Sequence, residues 1–296
     1  HTGLKMTNEK FNKLFTGPPR KSETKISQKE MDIAASIQKV TEDIVILMAR
    51  NIAKETKMKY LCMAGGVALN CVANGKLNSE KIFKKIWIQP AAGDAGGAIG
   101  AALAIHYMMM KNQRLNITKP DSMQGSYLGP QFSNNQISEK LNYLNANFTE
   151  YSEKDLIKIT AEELSKKKAV GWMQGRMEFG PRALGNRSII ADSRSPSMQK
   201  LLNLKIKYRE SFRPFAPSVL IDDLQNWFEL EESSPYMLLV SRVKKEKLYC
   251  YVFWIFPRKI NGSYFSLSVQ KVNKWLCAVT SRLSNSAFWG SRFNYF

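Results

Sequence analysis

Histidine is almost missing from this chain and cysteine is sparse, with two histidines and four cysteines in 296 residues. Cys62, Cys71, Cys250 and Cys277 form no CxxC pair, which argues against a Cys/His zinc centre. They are also too few for a disulfide scaffold. Cys62 and Cys71 stand among apolar residues, so both are expected to be buried, reduced and inert, as in a reducing cytoplasm. His1 and His106 have no partner of the kind that nucleophilic catalysis needs, and no Ser/His/Asp or Cys/His arrangement is visible. Walker and GxGxxG motifs are lacking too. No apolar run reaches the roughly 18 residues of a membrane span, so no membrane partner is expected. The opening HTGLKMTNEKF has neither an initiator Met nor an apolar signal core, and it reads like the start of a fragment.

Acidic residues are the other shortage: 25 Asp and Glu stand against 44 Lys and Arg, a net charge of +19. Such an excess points toward an anionic partner, nucleic acid among them. Its distribution does not favour nucleic acid. Nine of the basic residues fall in residues 244–296 beside Glu246 alone, and others crowd into residues 176–213. Neither stretch repeats the basic-aromatic pattern of a nucleic-acid module. Residues 244–296 also hold thirteen of the 32 aromatic residues. With no sustained period of 2 or 3.6, they are expected to be an aberrant tail, from a shifted reading frame or an unrelated end. A basic-aromatic surface element is the alternative.

Ordered segments alternate in between. Ser27 and Glu30 form a capping box for a helix over about 28–56, with apolar residues at Ile33, Ile37, Val40, Ile44, Ile46, Leu47 and Ala49. A short buried strand at Tyr60–Met63 turns at Gly65-Gly66 into a helix over about 67–77. A strand at Ile86–Ile88, a loop at Pro90–Asp94 and a small-residue helix over about 95–110 follow. This is an α/β layout, a sheet covered by helices. Residues 111–126 read as a linker. Beyond them the pattern gives helices near 134–143 and 153–166, strands near 147–151 and 168–174, and further strands at Ser188–Ala191 and Pro217–Leu220.

Three motifs carry the chemistry. In Ala64-Gly65-Gly66-Val67-Ala68-Leu69-Asn70 the glycines allow close backbone approach of a ligand, and the helix start offers N–H groups to an anion. The same glycines serve a strand-to-helix turn with no ligand at all. Gly93-Asp94-Ala95-Gly96-Gly97 opens the next helix. Asp94 either caps it, its carboxylate reaching the N–H of Gly96 or Gly97, or offers a hard oxygen to a metal. Residues 175–217 concentrate Arg176, Arg182, Arg187, Arg194, Lys205, Lys207, Arg209 and Arg213 among turns such as Gly180-Pro181-Arg182 and Gly185-Asn186-Arg187. Guanidinium forks presented on turns suit phosphate oxygens, although structural ion pairs would use the same residues. Glu178 lies inside this cluster and is expected to pair with an arginine.

AGGVALNCVANGKL, IQPAAGDAGGAIGAAL, GRMEFGPRALGNRSI and KIKYRESFRPFAP, in this order, resemble the O-carbamoyltransferase family of nodulation-factor and antibiotic-tailoring enzymes. The resemblance implies α/β and α+β architecture. Residues 1–116 would be the C-terminal part of an actin-like, sugar-kinase-like domain, residues 117–243 a YrdC-like domain, and residues 244–296 the tail. It also implies that carbamoyl phosphate and ATP, as substrates, give carbamoyladenylate, from which the carbamoyl group passes to a hydroxyl of a sugar or secondary metabolite. Arg182, Lys205 and Arg209 would then be catalytic. Gly65, Gly66, Asn70, Arg176, Arg187, Lys207 and Arg213 would bind substrate or nucleotide. Asp94 would ligate a divalent metal, expected to be iron, whose histidine ligands in the family lie upstream of this chain. The family's Asn-Thr-Ser-Phe-Asn block does not occur in residues 244–296, so the resemblance is to a truncated member whose own activity is in question. A cytoplasmic enzyme is expected, and a homodimer is compatible with it. Two rivals remain: a threonylcarbamoyladenosine-type tRNA-modifying enzyme, and a non-catalytic basic RNA-binding protein.

Overall fold

The computed structural model describes residues 7–21, 23–114, 121–192, 195–218, 221–230, 233–247 and 264–267. A short helix α1 (Glu9–Leu14) precedes the long helix α2 (Gln28–Thr56). Glu30 accepts hydrogen bonds from the Ser27 backbone N–H (2.8 Å) and hydroxyl. That satisfies groups which a helix start leaves without partners and holds the Glu30 carboxyl below its ordinary range. Lys57 closes the helix in the left-handed conformation, φ 56°.

Strand β1 (Tyr60–Met63), helix α3 (Cys71–Ser79) and strand β2 (Lys85–Ile88) form a βαβ unit in which β1 and β2 pair in parallel, Tyr60 opposite Lys85 and Met63 opposite Ile88. Its core is Ile46 and Ala49 of α2 against Leu77 and Phe83, with Leu61, Met63 and Ile86 packed around them. Burying a side chain such as Leu77 is worth roughly 1.5–3 kcal/mol, which is why one face of α2 is fixed on this unit. β1 is not buried on both faces as expected. It alternates exposed and half-buried, and Cys62 is exposed. With one partner strand and one covering helix face, only every second residue finds cover.

The expected helix over 67–77 starts late. Gly66–Leu69 form a 3-10 turn, and Asn70 caps α3, its Oδ1 accepting from the Ala73 N–H at 3.1 Å. Helix α4 (Asp94–Ala104) continues into a π-helical turn over Ile105–Met109.

After α5 (Asn134–Tyr143) the expected strand near 147–151 does not form. The segment finds no strand to pair with among the described residues, and Glu150 accepts instead from the Ser138 hydroxyl of α5. Helix α6 (Glu153–Ser165) lies on the antiparallel pair β3 (Ala169–Met173) and β4 (Arg187–Ala191), through Ile157, Ala161 and Leu164 against Val170 and Ile190. Short helices α7 (Met198–Leu201) and α8 (Leu224–Trp227) follow. Strand β5 (Leu239–Arg242) then pairs antiparallel with β6 (Tyr264–Leu267), four residues of the expected tail. Otherwise the expectation for residues 248–296, and for the end of the strand at Pro217–Leu220, falls outside the described residues.

The fold is thus mixed α and β, with small two-stranded sheets. The two halves are sewn together at α3. Asn74, 1% exposed, donates from Nδ2 to the carbonyls of Ala68 (2.8 Å) and Leu238 (3.0 Å). Gly75 lies so close to β5 that a Cβ there would sit 2.6 Å from the Val240 carbonyl oxygen. Ala68, Ile88, Ala92 and Leu238 form the apolar cluster beside this contact. No described helix is long and apolar enough to cross a membrane.

Candidate active site

The site grows from the loop that links β3 to β4. Gly175, Gly180 and Gly185 adopt φ of +55°, +125° and +107°, values at which a side chain would be strained. The loop therefore bends at three glycines, with Arg176 and Arg182 between them and Arg187 just past the last, at the start of β4. It is braced throughout. Gln174 N–H donates to Asn186 O (2.9 Å), Phe179 N–H to Ser126 O (2.6 Å), and the Asn186 amide to Arg176 O (2.8 Å). Tyr127 donates its hydroxyl proton to Leu184 O at 2.8 Å.

Glu178 stands in the middle of the brace. Its Oε1 accepts from the N–H groups of Leu184 (2.6 Å) and Asn186 (2.9 Å), and Oε2 lies 3.4 Å from Arg187 Nε. The side chain is wholly buried. Burial, and then the charge of Glu178, push the Tyr127 phenol up to about 12. The expected pairing of Glu178 with an arginine is present, but its shorter bonds go to the backbone.

Arg182 leaves this loop for the other half of the molecule. Its Nη2 donates to the Leu69 carbonyl at 3.2 Å, and its Nε is buried with no acceptor among the described residues. Beside it, Gly180 approaches Ala91 so closely that a Cβ would stand 3.1 Å from the alanine methyl. The Gly65 N–H donates to Ala92 O at 2.7 Å, with Gly65 at φ +94°. Three motifs, around Gly65–Asn70, Ala91–Asp94 and Gly180–Arg187, therefore meet at one seam. Cβ positions at Gly65 and Gly66 face open space, so the glycine loop leaves its backbone accessible.

Behind the seam Asn70 exchanges hydrogen bonds with Gln38, 3.0 and 3.3 Å. Gln38 also donates to Glu42 (2.9 Å), which accepts from Lys76 Nζ at 2.5 Å. Burial raises the Glu42 pKa, but the bonds from Lys76 and Gln38 outweigh it and hold the carboxyl below its usual range.

The second basic segment is organised separately, around Asn203, which is fully buried. Asn203 Nδ2 donates to Ser211 O (3.1 Å) and Arg213 O (2.8 Å), and Oδ1 accepts from Arg209 Nε (2.5 Å). Arg209 also lies 4.9 Å over the Phe215 ring. Burial, and then the neighbouring Arg213, lower its pKa. Glu210 pairs with Arg20, and Ser211 N–H donates to Glu23 (3.2 Å), so the polar arm before α2 holds this segment. Lys205, Lys207 and Arg213 are exposed, and among the described residues their side chains make no hydrogen bond or ion pair. Arg176 donates to Gly129 O (2.8 Å) and Arg187 to Gly180 O (2.8 Å). Arg194 lies outside the described residues.

Asp94 does not cap its helix as the capping alternative expected. Gly93 occupies the cap position, the N–H of Gly96 goes to Ala91 O (2.8 Å) and that of Gly97 to Gly93 O (3.1 Å). The Asp94 carboxylate is exposed at the start of α4, one residue past the cap. Among the described residues no group of three or more His, Cys, Asp or Glu side chains could hold a metal ion. Asp94 alone supplies one oxygen ligand, so the described residues do not compose a metal site.

Charge and motif spacing do not single out Tyr127, Ala91, Ala92 or the Leu69 carbonyl as parts of this site. These contribute through backbone carbonyls, a methyl group or a single hydroxyl, and none of these leaves a trace in charge spacing. The glycines on both sides of Tyr127, Gly125 and Gly129, are the one signal that could have pointed to it.

Comparison with known proteins adds the following. Residues 1–103 match the family model described as the carbamoyltransferase N-terminus, and residues 161–275 that of the carbamoyltransferase C-terminus. An uncharacterized protein of Synechocystis sp. is 56% identical over 247 residues, 83% of this chain and 40% of the relative. Nodulation protein NolO of Bradyrhizobium diazoefficiens is 42% identical over 226 residues, 75% of this chain and 40% of the relative. Nodulation protein NolNO of Sinorhizobium fredii is 41% identical over 225 residues, 75% of this chain and 32% of the relative. The chain thus spans two fifths or less of the length of these curated relatives.

Proposed function

The chain belongs to the carbamoyltransferase family, and from that premise we propose that it serves O-carbamoyl transfer. Carbamoyl phosphate and ATP are taken up at the arginine-bearing loops; water cleaves carbamoyl phosphate to carbamate and phosphate, and a carbamate oxygen attacks the α-phosphorus of ATP, expelling pyrophosphate and giving carbamoyladenylate. A hydroxyl of a sugar or secondary metabolite then attacks the carbamoyl carbon across the seam, its proton is lost, and AMP leaves. In this reading residues 1–116 are part of an actin-like domain and residues 117–243 a YrdC-like one. The protein is a cytoplasmic transferase.

One observation carries the reading. Arg182 spans the two family segments, anchored by Nη2 on Leu69 O while its buried Nε has no acceptor. A buried donor without a partner costs about 1–3 kcal/mol, and an oxygen of a carbamoyl or phosphoryl group supplies the acceptor it lacks. Lys205, Lys207 and Arg213 are exposed cations suited to phosphate oxygens, while Arg176, Arg187 and Arg209 each keep donors beyond those already spent. Asn70, Gly65 and Gly66 border the seam on the side where the acceptor would lie. Asp94 offers a single carboxylate there. Titration calorimetry of the chain with carbamoyl phosphate and with ATP tests the proposal, and heat of binding from neither would end it.

A further inference from the structure

Glu178 is a buried charge that the transfer chemistry leaves unused. A carboxylate has two oxygens and can only accept hydrogen bonds. Here the two are divided: Oε1 takes the N–H groups of Leu184 and Asn186, and Oε2 faces Arg187 Nε. Oε2 has no hydrogen-bond partner among the described residues, and its 3.4 Å approach to Arg187 is an ion pair rather than a hydrogen bond. An ionised carboxylate so placed would be costly without a cation beside it. Arg187 is the cation that faces it, and Arg187 is also tied by Nη2 to Gly180 O. Its exposed guanidinium is thus held at Nη2 by a hydrogen bond and at Nε by the facing charge, and Nη1 makes no hydrogen bond among the described residues.

We propose that Glu178 is a positioning residue: it locks the Gly180–Arg187 loop through the backbone with one oxygen and orients the guanidinium of Arg187 toward the anionic carbamoyl donor with the other. The proposal rests on the carbamoyl-transfer reading for the identity of that donor, and on the loop geometry for everything else. Tyr127 supports the same arrangement from the opposite side, holding the Leu184 carbonyl while Glu178 holds the Leu184 N–H.

The test separates the two oxygens. Glu178→Gln keeps a carbonyl oxygen for the two backbone N–H groups and removes the charge opposite Arg187, whereas Glu178→Ala removes both and endangers folding. A charge-assisted bond from Arg187 to the donor is worth roughly ten-fold or more in affinity, so Glu178→Gln, which frees Arg187 from its orientation, is expected to weaken carbamoyl phosphate by about that factor. The double variant Glu178→Gln/Arg187→Gln should bind no more weakly than Arg187→Gln alone, because a residue acting through another gives non-additive losses. The cycle is run in parallel with inorganic pyrophosphate. Independently of any ligand, NMR should show the Arg187 Nε proton exchanging faster with solvent in Glu178→Gln, while the amides of Leu184 and Asn186 stay protected. Coupling with pyrophosphate, but no binding of carbamoyl phosphate by the unsubstituted chain, would end the carbamoyl-donor reading and leave the role of Glu178 standing. An unaltered Arg187 proton, or additive losses in the cycle, would overturn the role of Glu178 whichever ligand binds.

Discussion

Arg182 donates from Nη2 to the carbonyl oxygen of Leu69, 3.2 Å away and 113 residues earlier in the chain. The bond joins a loop of the C-terminal family segment to the glycine loop of the N-terminal one. It makes the seam between them a built feature of the molecule: Gly180 against Ala91 and Gly65 against Ala92 hold the two loops at the same place. A guanidinium committed at one nitrogen and uncommitted at another is suited to report on both halves at once.

The packing of α3 on β5 sets how firmly the halves are joined. Gly75→Ala would place a methyl 2.6 Å from the Val240 carbonyl oxygen. Backbone cannot yield as a side-chain end can, so β5 must move. Overpacking of this kind costs about 1–3 kcal/mol, against which the gain in helix propensity from replacing glycine is smaller, about 1 kcal/mol. Urea unfolding should show Gly75→Ala destabilised.

Glu42 predicts an acid-side loss of stability. Its carboxyl is held below the ordinary value of 4.5 by Lys76 and Gln38, against the raising effect of burial. A carboxylate with a depressed folded-state pKa stabilises fully above its unfolded value and loses that contribution as pH falls through the folded one. The stability difference between the unsubstituted chain and Glu42→Gln, measured by urea unfolding, should therefore be constant above about pH 5.5 and shrink as the solution is acidified. A difference that grows toward low pH would show that the carboxylate is not held ionised by these partners.

Asp94 should be dispensable for folding. Its carboxylate makes no capping bond, and Gly93 holds the cap position. What remains is its favourable place in the first turn, worth about 0.3–1 kcal/mol by interaction with the helix dipole. Asp94→Asn should lose no more than that by thermal or urea unfolding. A larger loss would mean that the carboxylate carries a structural contact after all.

Local rules made the elements legible. The Ser27–Glu30 box and the apolar spacing after it predict α2 over about 28–56, and the helix runs Gln28–Thr56. Turn glycines placed the loops that carry Arg182 and Arg187, and Gly180 and Gly185 do take positive φ. The expectation near 147–151 failed for a physical reason: β character in a short segment depends on a neighbour to pair with, and none stands there among the described residues. The burial of Cys62 was misjudged because an apolar neighbourhood in sequence does not say which face of a two-stranded sheet is covered. The convergence at the seam was not legible at all. It rests on the backbone carbonyls of Leu69 and Ala92, which any residue type supplies, and on the close approach of Gly180 to the Ala91 methyl. Nor does the sequence separate the Arg182 loop from the Lys205–Arg213 segment, which the structure organises around Asn203.

The Arg182 seam is proposed above as the place where the carbamoyl donor binds. Calorimetric titration of carbamoyl phosphate into the unsubstituted chain and into Arg182→Ala and Arg182→Lys tests it most directly. Lysine keeps the charge but has no Nε–H beside a second donor in a fixed fork. Loss of one charge-assisted bond is worth about 1.5–3 kcal/mol, so both variants should bind at least about ten-fold more weakly than the unsubstituted chain. Equal affinity in all three, or no binding of carbamoyl phosphate by the unsubstituted chain, would show that the donor does not bind at Arg182.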